Sequence, residues 1–369
     1  MGKKKGPLDR EMDEILNQIY AEEEVDATFN ECLSYDYDYV KGYLDELGYD
    51  IGGLIKEDRL IALLAGVLSE LEDNEDLDEM EDLVLDYLVG QVDAYDPKEI
   101  ESLPYYQLLK KVKPFKEKGV VFEFRSIAPY TPFLSKNRDF SEDIHQLSKP
   151  NVGCFTASYL QPTISKGGEI WMSLIPHEIE TMREAFSSFK GNVLIYGLGL
   201  GYAAFEASNK KEVDKVTVIE KDKAIVDLFK KHILPLFPNR DKVEIVLMDA
   251  IDFAKGNKNK EYDVLFADLW RTGEDGLPLF AKLRKNEGAA KENHYWIEEE
   301  IYIYLRRLYV RYLAYLQKKD SAYIDDLKGS PYYDIFLNLS REKGIVALSS
   351  PIVSYLSKDK LLDLMEGLF

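Results

Sequence analysis

Between Asn192 and Trp270 four short apolar runs each stop at a glycine or a carboxylate: NVLIYGLGLG, VTVIE, IVLMDAIDF and YDVLFADLW. Runs of this length, bounded by turn residues and alternating with helical patterns, read as buried strands of a parallel sheet. The spacing predicts strands at Val193–Tyr196, Val216–Ile219, Val243–Leu247 and Tyr262–Ala267. Between them it predicts a helix over Tyr202–Ser208 and another from Lys221, with Ile225, Val226, Phe229 and Ile233 turned to the sheet. The fold class is α/β, a doubly wound, mostly parallel sheet with helices on both faces.

The strand ends carry the chemistry. Gly197, Gly199 and Gly201 let the first strand turn tightly into its helix and bring backbone close to a ligand. Such a turn accepts a phosphate or an amino-acid carboxylate. Glu220 ends the second strand, where a carboxylate can take both hydroxyls of a ribose. Tyr202 stands where the dinucleotide fingerprint carries its third glycine, and it would crowd a pyrophosphate. Asp249 with Ala250 follows the third strand and could read an adenine ring. Asp268 ends the fourth strand, facing the charged part of a cofactor or a substrate amine. Three carboxylates at neighbouring strand ends suit a ligand with a ribose, an amine and a sulfonium. The bland alternative is that Glu220 and Asp249 cap helices and the glycines only turn the chain.

VLIYGLGLG, VIE, MDAIDF and YDVLFAD resemble the motifs of class I S-adenosylmethionine-dependent methyltransferases, leaning toward their spermidine synthase-like branch. Ile195, two positions before the first glycine, is apolar as in that branch, and Pro176–His177–Glu178 echoes its Tyr-His-Glu segment. The resemblance implies a Rossmann-like domain binding S-adenosylmethionine. Gly197 to Gly201 would line the methionine part, Glu220 would hold the ribose, and Asp249 with Ala250 the adenine. Asp268 would fall at the branch's catalytic aspartate, and His177 is a candidate base, set against a histidine that simply faces solvent. The branch continues Asp-Ser-Ser-Asp-Pro, whereas this chain continues Leu269–Trp270–Arg271–Thr272. The expected function is methyl transfer to a small-molecule acceptor. The alternatives are an aminopropyltransferase-like enzyme using decarboxylated S-adenosylmethionine, and a non-catalytic protein of the same fold acting in assembly.

Outside this unit the chain divides into a helical N-terminal region (1–115), a small β-rich segment and linker (116–176), and the nucleotide domain with C-terminal helices (177–369). Residues 1–10 read as disordered; Met12, Ile15, Leu16 and Ile19 then share a helix face. Further helical stripes run over 39–48, 60–71 and 77–90. CFTASYLQPTI and EIWMSLI around Lys166–Gly167–Gly168 predict a hairpin, and Pro176 opens a helix. RTGEDGLPLF reads as a loop beside the site, followed by a long helix from Tyr295 to about Gln317. Another helix is expected over Tyr323–Leu339, a strand at Ile345–Leu348 and a closing helix at Leu361–Leu368.

A net charge of -20 argues against nucleic acid as a partner. No apolar run is long enough to span a membrane. MGKKKGPLDR has neither an apolar signal core nor an acylation site, so the expectation is a cytoplasmic protein, with self-association left open. The histidines show no ligand spacing and only Cys32 and Cys154 are present, so no metal is expected.

Overall fold

The computed structural model describes residues 6–32, 92–129, 131–138, 140–141, 143–144, 148, 150–343 and 350–368. The stripes at 39–48, 60–71 and 77–90 and the strand at Ile345–Leu348 lie outside them. In chain order the elements begin with helix α1 (Pro7–Cys32), strand β1 (Val92–Tyr95) and short helices α2 (Pro97–Glu101) and α3 (Pro104–Leu109). Six strands follow: β2 (Phe115–Glu117), β3 (Val120–Ile127), β4 (Pro132–Lys136), β5 (Asn151–Phe155), β6 (Tyr159–Lys166) and β7 (Glu169–Ser173). The central unit is α4 (Pro176–Ser188), β8 (Gly191–Tyr196), α5 (Tyr202–Asn209), β9 (Val213–Glu220), α6 (Lys223–Leu228), β10 (Val243–Leu247), α7 (Ala250–Gly256) and β11 (Tyr262–Ala267). The chain closes with α8 (Gly273–Lys285), β12 (Ala290–Tyr295), α9 (Glu298–Lys318), α10 (Pro331–Lys343) and α11 (Lys358–Leu368).

The five central strands form one sheet in the order β10-β9-β8-β11-β12, and every pair is parallel. Val193, Leu194, Ile195 and Tyr196 of β8 are all buried, as a middle strand covered on both faces requires. The strand order reverses between β8 and β11. In open sheets of this kind a crevice forms there, beyond the carboxyl ends of the strands. The mixed α/β fold with its Rossmann-like sheet is as the strand spacing implies.

Several expectations change. Pro7–Arg10 is helical, so order begins earlier than the basic tip suggests. RTGEDGLPLF is helix from Gly273 on: Thr272 and Asp275 form a reciprocal capping box that starts α8. Its glycines are there for packing, since a Cβ on Gly276 would sit 2.8 Å from the Trp270 ring. The long helix starts at Glu298, after a further strand, β12, and a left-handed residue at Ile297 (φ 47°). The helix expected over Tyr323–Leu339 is a 3-10 segment, Ser321–Leu327, followed by α10. CFTASYLQPTI is two strands in different sheets. β5 joins β1 and β4, while β6 and β7 make the hairpin inside the antiparallel sheet β2-β3-β6-β7.

Helix α1 packs along α9 through an apolar strip of Met12, Ile15, Leu16 and Ile19 against Val310, Leu313 and Ala314. Beside that strip runs an ionic seam. Glu22 meets Arg306 and Arg307 at 3.5 and 3.2 Å, and Asp26 meets Arg307 and Arg138 at 2.7 and 2.5 Å. Asp13 meets Lys318 at 2.9 Å. Glu22 and Arg306 are only 2% and 1% exposed. Among the described residues no helix is long and apolar enough to cross a membrane.

Candidate functional site

The site forms where β8 ends. The Asp268 N–H donates to the Tyr196 carbonyl at 2.8 Å, and the Gly197 N–H to the Ile219 carbonyl at 3.0 Å, so the turn is threaded between β9 and β11. Gly197 has φ 94°, and a Cβ on it would lie 2.0 Å from the Asp268 carbonyl oxygen. Gly199 has φ 49°, and a Cβ there would lie 2.0 Å from the Met172 sulfur. Both demands, left-handed backbone and absent side chain, select glycine. Gly201 caps α5 with φ 88° and packs on Phe229.

Glu220 is 7% exposed at the end of β9. One carboxylate oxygen accepts the Leu198 N–H at 3.0 Å and the other the Asp222 N–H at 2.7 Å. The side chain thereby fixes the first half of the glycine turn. A carboxylate has about four acceptor positions, so two remain for ligand hydroxyls. Asp249 caps α7, accepting from Ile251 and Asp252 at 2.8 and 3.3 Å. That is the capping arrangement, at the outer strand β10, with Ala250 buried behind it. Asp252 is exposed and pairs with Lys255 at 3.2 Å.

Asp268 sits at the mouth between β8 and β11. Burial, and after it the Glu220 charge, push its carboxyl up to about 7. Glu178, in the first turn of α4, is pushed up to about 8 by burial and by the Asp268 charge. Hydrogen bonds from the Ser173 N–H and hydroxyl, at 3.1 and 3.0 Å, oppose that shift. They occupy only one Glu178 oxygen; the other, Oε2, is buried without a hydrogen-bond partner. Among the described residues no lysine or arginine pairs with Glu178, Glu220 or Asp268. An uncompensated cluster of acids favours protonation or a cationic ligand. Sequence reasoning stopped one residue short of Glu178, at His177. The available signal was a carboxylate in the first turn of a helix entered directly from the hairpin.

His177 does not face solvent freely. Its ring meets Trp296 edge-on at 5.9 Å, and burial pushes its pKa down to about 4. It is a neutral packing ring, with no ring hydrogen bond among the described residues. Trp270 is core, donating its ring N–H to the Trp296 carbonyl at 2.8 Å. Arg271 is exposed and pairs with Glu169 at 3.2 Å.

Residues 178–284 match the family described as the spermine/spermidine synthase domain. That range holds Glu178, the glycine turn, Glu220, Asp249 and Asp268. A polyamine aminopropyltransferase from Clostridium botulinum is 33% identical over 94 residues, 25% of this chain and 32% of that protein. Putrescine N-methyltransferase 2 from Nicotiana attenuata is 32% identical over 78 residues, 21% of each chain. The crystal structure of spermidine synthase from Thermotoga maritima aligns with 40% of this chain and 54% of that one, at 19% identity and a TM-score of 0.30. The chain thus spans about a third or less of the length of these curated relatives. The matched part is spermidine synthase-like. The two curated relatives carry different reactions in their names, aminopropyl and methyl transfer.

Proposed function

We propose that the cleft binds an S-adenosyl-type nucleotide and transfers its aminopropyl group to a cationic amine. The observation that carries this reading is the group of Glu178, Asp268 and Glu220 without a paired cation. A donor with an α-carboxylate would add a further negative charge to that group. A decarboxylated donor keeps the protonated amine and lacks that carboxylate, and an amine acceptor brings a further positive charge. The relatives named as aminopropyltransferases favour the same order, which reverses the one drawn from the sequence. Arg271 stands where the resembled motif has its second acid; Glu178 is the acid electrostatically coupled to Asp268 here.

The nucleotide's sulfonium supplies its own leaving group when bound. This chain's residues then have three tasks. Glu220 and the glycine turn orient the nucleotide. Asp268, at about 7, takes one proton from the acceptor ammonium, so that a nitrogen lone pair is free to attack, while Glu178, at about 8, ionises only as the cation arrives and helps hold it. Trp270, two residues from Asp268, and Trp296, against His177, are buried bulk that would keep water from the acids.

The reading is tested by products. Purified protein with decarboxylated S-adenosylmethionine and a diamine should release methylthioadenosine. Glu220→Ala and Gly199→Ala should abolish that release by preventing binding. Formation of S-adenosylhomocysteine from S-adenosylmethionine would instead assign methyl transfer, the second reading, which the Nicotiana relative supports. Neither product from the intact protein would sink both.

A further inference from the structure

The β6–β7 hairpin does more than precede the sheet. Its tip, Lys166–Gly167–Gly168–Glu169, projects into open space at two left-handed glycines, φ 64° and 93°. It is tied down on both sides of the cleft by ion pairs of opposite polarity. Lys166 pairs with Asp222, two residues beyond Glu220. Glu169 pairs with Arg271 at 3.2 Å, three residues beyond Asp268. β9 and β11 flank β8, so the tip straddles the glycine turn.

The strand behind the tip reaches down into that turn. Ile164 pairs with Met172 but Ser165 pairs with Ile170, so Trp171 is an extra, bulged residue. A bulge re-aims the side chains next to it. Here the Met172 sulfur accepts the Leu200 N–H at 2.9 Å and occupies the space a side chain on Gly199 would need. Ser173, the next residue, holds Glu178. Trp171 and Ile170 stay 45% and 40% exposed on the outside. Sulfur is a weak acceptor, readily replaced by a ligand oxygen or nitrogen.

We propose that Met172 is the gate residue of the cleft and that the hairpin carrying it is a strap, which must lift for a ligand to reach Gly199 and the Leu200 N–H. The two ion pairs set how readily it lifts. Only the identity of the entering ligand rests on the nucleotide reading; the strap does not.

Hydrogen–deuterium exchange on the full chain tests this without a ligand. Peptides covering 159–173 and 198–205 are followed in wild type, in Lys166→Gln with Glu169→Gln, in Met172→Ala and in Met172→Leu. Two solvent-accessible ion pairs together hold about one factor of ten, so the double variant should exchange roughly tenfold faster in both peptides. Met172→Ala should speed the 198–205 peptide alone, and Met172→Leu should do so less, because it keeps the bulk and loses only the acceptor. An unchanged 198–205 peptide in both the double variant and Met172→Ala would overturn the gate. Methylthioadenosine is then added, and the same variants should bind it faster than wild type. If it binds no variant, the nucleotide reading fails while the exchange result still decides the strap.

Discussion

Carboxylates crowd together in two places in this molecule, with opposite consequences. Along the α1–α9 seam, Glu22 and Asp26 are answered by Arg306, Arg307 and Arg138. In the cleft, Glu178, Glu220 and Asp268 face one another and backbone N–H groups, and two of the three are pushed far above the ordinary carboxylate range. The seam is closed chemistry: its charges are mutually satisfied and bind a helix to a helix. The cleft is open chemistry, whose missing counter-charge a ligand can bring. Burial alone does not mark a functional acid; the absence of a protein cation beside it does.

The strongest way to break this contrast is Arg306→Ala. It leaves buried Glu22 with Arg307 as its remaining guanidinium partner and empties a fully buried site, and should cost about 3 kcal/mol in denaturant unfolding. Replacing both partners, Glu22→Gln with Arg306→Met, should recover most of that loss. In the cleft, Asp268→Asn should lower transfer by roughly 10²–10⁴-fold and leave the fold intact. It should also stabilise the protein by about 1–3 kcal/mol near pH 8, where wild type must ionise a buried acid.

The same asymmetry predicts a pH slope. Asp268 and Glu178 hold folded values of about 7 and 8, above their unfolded values. The folded state therefore binds more protons than the unfolded chain between about pH 4 and 8, so this contribution to stability falls as pH rises through that window. Thermal unfolding across pH should show the fall in wild type and a flatter profile in Glu178→Gln with Asp268→Asn. The smallest expected effect is Arg271→Ala: its ion pair with Glu169 is exposed, and stability should change by less than about 0.5 kcal/mol.

The central sheet was legible because parallel strands buried on both faces leave unbroken apolar runs, and those runs ended at Gly197, Glu220, Asp249 and Asp268. β12 was not: AKENHY is an outer strand with polar side chains, and only Ala290 and Tyr295 are buried. α8 hid behind Gly273, Gly276 and Pro278; the two glycines report packing on the Glu300 carbonyl and Trp270, and the proline lies inside the helix. Glu178 was invisible because its environment is assembled from Ser173 and Asp268, which only the tertiary fold brings together. The seam was invisible for the same reason, with Glu22 and Arg306 separated by 284 residues.

The central claim is that the cleft awaits a positive charge. Calorimetric titration of decarboxylated S-adenosylmethionine, in two buffers of different ionisation enthalpy near pH 7.5, tests it most directly. A cation arriving beside Asp268 and Glu178 must lower both, so binding should release protons, and the release should vanish in Glu178→Gln with Asp268→Asn. Binding without proton release, or no binding to intact protein, would contradict the account.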